Sequence, residues 1–397
     1  MWFLGFLFHE MAFGLLSIFL PLYVVNALGG SLTDVGIMIA VANFAAVPFS
    51  VFWGYLCDRT RRYRLFILIS FSGMSVMFYA FSLTNSIWLL ILLYGLISVF
   101  HVAHEAPKNV LISEYYSRAE WEQSFASYEG LTEVGWLAGL VLGLVLSVAG
   151  LANVWFILFV SLLNLVAFVL SLFLIRDPLF IFERRLVSME RVLDFAHRGF
   201  AVASRAFEGA KIRENLKSES VALFCVGLLV FSFATSMLFT PLPVFFSRYL
   251  HLEQMVVFVV FIFNTIGTTT GYFLAGRRAE IMDERGVVKR ANLVRALLSL
   301  LLILVAVSAT ILILPLAVLI LVVMGLVYGF FLISSLSLSM ELIPEGKAGV
   351  FYALMGLGGA LGCFLGTFVA DNYGFPVLFA LVGISFLMSY IAFRTYA

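Results

Sequence analysis

His101, His104, Glu105 and Lys108 stand at steps of three, four and seven residues, so on an α-helix all four fall on one face about 100° wide. His9 with Glu10, and Glu129 with Glu133 one helical turn apart, carry the same chemistry. Such a set suits proton movement, because histidine titrates near neutral pH and burial raises a glutamic acid toward that range. A purely structural reading competes: Lys108 pairs with Glu105 or Glu129, histidine pairs with glutamate, and neighbouring helices are held together. Glu10 and Glu105 are the acids expected to carry coupling or substrate binding. A metal centre is not expected, since His101 and His104 with one glutamate would need a ligand from another helix. Neither an enzyme nor a cofactor is expected, because His-Glu-x-x-His, Gly-x-Ser-x-Gly and paired-aspartate patterns are all missing. Cys57, Cys225 and Cys363 are single and distant, which excludes a disulfide framework.

The elements that must position these groups are membrane helices. Of 397 residues, 63% are hydrophobic and 12% charged, against about a quarter charged in a globular domain. Ionisable groups facing lipid are costly, so the face bearing His101 to Lys108 must look into protein. A net charge of +1 excludes a nucleic-acid-binding surface. At about twenty apolar residues per span, the chain divides into twelve: to Ala27, Thr33–Trp53, Leu65–Leu83, Ile87–Ile112, Ser124–Ala149, Leu151–Ile175, Val221–Phe246, Val256–Ala275, Ala291–Leu314, Leu316–Met340, Ala348–Asp371 and Phe375–Phe393. The first stretch lacks a basic leader and a cleavage site, so a removable signal peptide is not expected. Of the 24 Lys and Arg, this topology puts Arg248 in an outer loop and the other 23 in inner loops, at inner helix ends or, for Lys108, in the inner third of helix 4. That segregation places both termini in the cytoplasm. The ionisable group of helices 1, 4 and 5 then lies in the inner half of the first six spans.

Residues 176 to 219 break the apolar pattern with nine basic and seven acidic residues. Leu186, Leu193, Phe200 and Phe207 recur there every seven residues, which predicts an amphipathic helix on the inner membrane surface. Three domains follow: a six-helix bundle over 1–175, a cytoplasmic linker over 176–219 and a second bundle over 220–397. An internal repeat supports the two bundles. Gly135, Gly139 and Gly143 recur as Gly358, Gly362 and Gly366 (358 − 135 = 223), and Pro21 as Pro243 (243 − 21 = 222). The glycine ladders are expected to permit close helix contact.

Between helices 2 and 3 runs GYLCDRTRRYR, Gly54 to Arg64. It resembles the signature loop of the major facilitator superfamily on Gly54, Leu56, Asp58, Arg59, Arg62 and Arg64, with Arg61 where that pattern usually has a second glycine. Together with the duplicated halves and the long central linker, the resemblance covers the whole chain. It implies a secondary transporter whose halves rock around a midplane site lined by helices 1, 4, 7 and 10. It further implies that Asp58 rests against the inner end of helix 11 and that Arg59 pairs with an acid such as Glu114, latching an inner gate. Helix 5 is similar to the antiporter signature of the superfamily, yet Leu140 replaces its proline and helix 4 lacks that group's arginine.

The substrate class is bounded by the same inventory. Lys108, set among acids, is the cation available for an anionic substrate, so phosphate and carboxylates are disfavoured. Sugars are disfavoured too, since Gln123 and Gln254 are the whole glutamine count and lie near helix ends. Buried acids with many aromatics suit lipophilic neutral or cationic compounds, and proton-coupled export of these is the leading expectation. The alternatives are proton-coupled uptake of a small nutrient and a receptor that keeps the fold without moving solute. The expected setting is a prokaryotic plasma membrane, with lipid, substrate and protons as the partners. A monomer is the expected state, although lipid-facing aromatics do not distinguish it from a dimer.

Overall fold

The computed structural model describes residues 3–115, 121–177, 221–278, 283–308, 313–342 and 349–396. Among these residues, twelve helices are long and apolar enough to cross a membrane. They are α1 Leu4–Ala27, α2 Leu32–Cys57, α3 Tyr63–Ser82, α4 Ile87–Lys108, α5 Gly130–Val148, α6 Asn153–Leu174, α7 Val221–Tyr249, α8 Gln254–Arg277, α9 Glu284–Ser308, α10 Leu314–Ser339, α11 Ala353–Tyr373 and α12 Phe375–Thr395. The amphipathic helix expected within 176–219 lies outside the described residues.

The packing repeats itself. In the first half α1 lies against α5 and α6, α3 against α4 and α6, and α2 against α4; in the second, α7 lies against α11 and α12, α9 against α10 and α12, and α8 against α10. Two further seams, α2 with α11 and α5 with α8, join the halves and exchange with each other under the same repeat. α1 is the most enclosed span, with 72% of its central window buried against 28% for α2 and for α5. A polar group on α1 therefore meets protein, whereas much of α2 and α5 meets lipid.

Glycine sets how closely the pairs approach. A Cβ on Gly135 would lie 2.6 Å from the carbonyl oxygen of Leu7, and one on Gly139 2.1 Å from that of Met11. In the second half the corresponding distances are 2.3 Å from Gly358 to Leu229 and 2.2 Å from Gly362 to Phe233. Both partner pairs keep the repeat offset (229 − 7 = 222 and 233 − 11 = 222). Gly366 abuts Met237 of α7, whereas Gly143 faces the Phe258 ring of α8 across the seam between halves. A Cβ on Gly54, in contrast, would meet nothing within 4 Å.

Proline shapes three helix segments. α1 ends in a π turn over Tyr23–Ala27 just past Pro21, and α7 in one over Phe245–Tyr249 just past Pro243, again 222 residues apart (245 − 23 = 222). Each proline leaves the carbonyl four residues before it without its helical donor, and in both helices the π turn begins two residues later. α4 is not one continuous α-helix, contrary to the single helix over Ile87–Ile112 read from the sequence. It runs regularly over Ile87–His101, tightens to a 3₁₀ turn over Val102–His104 and resumes over Glu105–Tyr115. Pro107 explains the break, having no N–H for the carbonyl of Ala103.

At the end of the bundle where these π turns lie, the two halves touch through polar groups. Arg248 donates to Asn26 Oδ1 at 2.9 Å and to the carbonyl of Val25, while Asn26 Nδ2 donates to Ser247 Oγ at 3.0 Å. Thr33 Oγ1 donates to Asp371 at 2.8 Å.

Valine at Gly139 or at Gly362 is expected to lower stability by about 1–3 kcal/mol, and by similar amounts, since each side chain would drive into a backbone carbonyl. Gly54→Ala should be neutral or slightly stabilising. Thermal unfolding of the detergent-solubilised protein reads both, and an unchanged midpoint for the two valine variants would sink the packing argument.

Candidate functional site

The histidines of the first half gather where α1, α3, α4 and α6 meet. His9 is fully buried, and its Nδ1 lies 3.0 Å from Asn164 Oδ1 on α6. His104, also fully buried, has its Nδ1 3.1 Å from Ser70 Oγ on α3. The His101 ring stacks 5.1 Å from that of His9 and stands 5.0 Å from that of His104. Second partners thus orient two of the three imidazoles and leave His9 Nε2, His101 Nδ1 and His104 Nε2 buried without a hydrogen bond. The 3₁₀ turn over Val102–His104 keeps His101 and His104, three residues apart, on one face toward His9.

Glu105 connects this aromatic interior to charge. Its Oε1 lies 3.3 Å from His104 Nε2, too poorly aligned for a hydrogen bond, and its Oε2 accepts from Lys108 Nζ at 2.7 Å. The carboxylate side remains 42% exposed, so it faces open space as well as histidine. Lys108 also stands over the Tyr128 ring at 5.0 Å. Glu10 and Glu133 are half-buried on α1 and α5, with Glu10 beside Gly135. The side chains of Glu129, Asp58 and Glu114 lie outside the described residues, and so do the expected pairings through them. Of the loop motif, Arg59 meets Tyr55 Oη at 3.3 Å, while Arg61 caps α2 in the left-handed conformation at φ 56°, where the family pattern has glycine. Arg62 is the residue before α3.

One nitrogen from each of the three histidines lies within 4.8 Å of the others. A tetrahedral ion with bonds of about 2.0–2.1 Å would draw its donors to roughly 3.4 Å. The spacing observed is that of packed rings rather than of a closed coordination shell.

Between the halves lies a cavity of about 260 Å³ lined by Phe13, Tyr94, Trp136, Thr235, Ser236 and Phe239 among others, with no charged side chain in its wall. Phe13 joins this cavity to the histidines, its ring 4.9 Å from His9 and 4.7 Å from His101.

Sequence reasoning missed Arg295. Starting helix 9 at Ala291 leaves Arg295 at an inner helix end, among residues that merely orient the span. α9 begins at Glu284, so Arg295 lies eleven residues inside it, roughly 16 Å along the axis. It is fully buried, and Nε and both terminal nitrogens lack a hydrogen-bond partner. Four rings enclose its Cζ: Phe386 at 4.9 Å, Phe231 at 5.0 Å, Tyr328 at 5.4 Å and Phe239 at 5.7 Å. The premise that Lys108 is the one interior cation therefore fails. Asn164 was missed as well, for a lone asparagine in an apolar helix has no spacing partner to announce it.

Comparison with known proteins agrees with this architecture. A bacterial relative, "Multidrug resistance protein MdtG" of Proteus mirabilis (strain HI4320), is 26% identical over 404 residues, covering 96% of this chain and 92% of its own. Among solved structures, the nucleoside transporter NupG superposes with a TM-score of 0.71 at 14% identity, covering 100% of this chain and 98% of its own. A POT family transporter in complex with 5-aminolevulinic acid gives a TM-score of 0.74 at 12% identity over 98% of this chain and 94% of its own. Identities this low establish the fold alone. Residues 2–367 match the Major Facilitator Superfamily, so the chain belongs to that family of transporters and is a multi-pass membrane protein, not an enzyme.

Proposed function

We propose that the protein exports lipophilic compounds across a prokaryotic plasma membrane by alternating access, driven by protons that bind within the ionisable cluster of the first half. Phe13 carries this reading, because one ring both lines the cavity and packs on His9 and His101. A substrate that moves Phe13 changes the packing of the histidines, and a proton taken up there changes the wall that the substrate meets. Glu105 and Glu10 are the proton-bearing groups, Glu105 through its contacts with His104 and Lys108. The uncharged, aromatic and hydroxyl-bearing wall suits neutral compounds better than cations. The name of the bacterial relative, with its reference to multidrug resistance, supports export.

In this reading the termini and the 176–219 linker are cytoplasmic. The basic loop after α2 forms the inner gate, with Asp58, Arg59, Arg62 and Glu114 as its latch. The polar contacts of Arg248, Asn26, Thr33 and Asp371 then close the outer end.

Proteoliposomes holding an internal pH dye, given lipophilic neutral and cationic compounds under an imposed gradient, test the coupling. A compound should move protons through the parent and fail to do so through Glu10→Gln or Glu105→Gln. Transport that survives both changes would make the cluster structural, and coupled accumulation in the direction of uptake would favour a nutrient symporter. The outer closure has its own measurement. Arg248→Ala combined with Asp371→Ala should raise amide exchange several-fold in Tyr23–Leu32 and Leu242–Leu252 while leaving α3 unchanged; equal exchange in parent and variant refutes the latch.

A further inference from the structure

Arg295 lies apart from the ionisable cluster of the first half and is the most thoroughly buried cation among the described residues, enclosed by rings. Cation–π contacts offset only part of the cost of burying an ion. The rings satisfy no N–H donor, and a guanidinium carries five. The acids of the surrounding helices are out of reach. Glu284 on α9 is eleven residues away, and α10 carries no acid over Leu314–Ser339. α7 and α12 carry no acid over Val221–Tyr249 and Phe375–Thr395. Asn292, one turn before Arg295, has an unpartnered buried oxygen, but a neutral amide compensates none of the charge.

We propose that Arg295 is an anion-binding site one ring layer behind the wall of the transport cavity, taking the carboxylate of an otherwise lipophilic monoacid. Access is by way of α7. Phe231, Thr235 and Phe239 follow one another at four-residue steps along that helix. Phe231 and Phe239 cover the guanidinium, while Thr235 and Phe239 line the cavity. Phe239 is half-buried, so a single ring layer separates Arg295 from the cavity. Swinging that ring aside lets a carboxylate accept two parallel N–H bonds, the geometry that guanidinium matches best. Thr235 Oγ1, buried and without a partner, stands on the same path as a neutral donor. The apolar remainder of the ligand keeps to the aromatic cavity wall. A cation is repelled from the same position, and a neutral isostere leaves the charge uncompensated.

This inference rests on reading the cavity as the substrate path, and its test separates the two. Equilibrium dialysis of the full-length protein in nanodiscs is run with 2-naphthoate and with its neutral isostere 2-naphthamide. The parent should bind the acid at least ten-fold tighter than the amide. Arg295→Gln should abolish that preference and leave amide binding unchanged, and Arg295→Lys should retain part of it. Phe239→Trp, which thickens the layer between cavity and guanidinium while keeping the buried charge, should weaken the acid more than the amide even if Arg295→Gln does not fold. Equal binding of acid and amide by the parent, a preference that survives Arg295→Gln, or no binding of either overturns the proposal. Naphthoate bound with the expected preference but moved without protons keeps the anion site and removes the coupling. Proton-coupled movement of neutral compounds without a naphthoate preference does the reverse.

Discussion

Everything polar in this interior depends on how closely α5 approaches α1 and α11 approaches α7. Lipid offers neither hydrogen bonds nor dielectric screening, so a buried imidazole or guanidinium persists where protein surrounds it on every side. Close backbone contact at Gly135 and Gly139 seals one flank of α1, and Gly358 and Gly362 do the same for α7. α6 and α12 close the other flanks. His9 on α1, and the two α7 rings that cover Arg295, sit in the enclosures so formed. The glycines touch no ligand, yet they permit chemistry that a helix pair spaced by ordinary side chains would leave open to lipid.

The two enclosures are copies that have diverged. With the repeat offset, His9 corresponds to Phe231 (231 − 9 = 222) and Asn164 to Phe386 (386 − 164 = 222). In the first half the pair forms a hydrogen bond that fixes an imidazole; in the second it forms two walls of an aromatic cage. Polarity has moved from α1 and α6 to α9, where Arg295 stands opposite Gly73 (295 − 73 = 222). One centre is thus rich in groups that exchange protons, and the other holds a permanent charge. Each meets the cavity through one ring, Phe13 or Phe239.

Much of this was legible in the sequence, and the failures have physical causes. Span number, the duplication and the gathering of His9, His101, His104 and Glu105 follow from hydropathy and from the cost of exposing such groups to lipid. The break in α4 was missed because 3.6-residue periodicity was carried through Pro107, whose effect falls on the preceding turn. Arg295 was missed because hydropathy starts a span at its first apolar residue, while the helix itself begins in the basic stretch before it. An arginine three turns inside a helix then looks like a flanking charge. The signal was present as a strongly basic segment whose last member outlies the rest by five residues, Arg290 to Arg295. Neutral partners such as Asn164 and Ser70 leave no pattern in a single sequence, since their role exists only across helices.

The closed end shows how such a body can still change shape. Asn26, Ser247 and Arg248 all belong to the π turns that follow Pro21 and Pro243. Each turn is closed by a wide bond, Leu28 N–H to Tyr23 and Leu250 N–H to Phe245, both at 3.1 Å. This register frees the carbonyl of Val25 to accept from Arg248, which an unbroken α-helix would have engaged. The bonds that cross between the halves here are few and partly exposed, each worth about 0.5–1.5 kcal/mol net. Their sum is a few kcal/mol, the range within which a bound ligand shifts a two-state equilibrium. The glycine seams inside each half are continuous backbone packing and resist the same displacement. Proline thus lies beside the polar contacts that cross between the halves at this end, and glycine at the closest backbone contacts within each half.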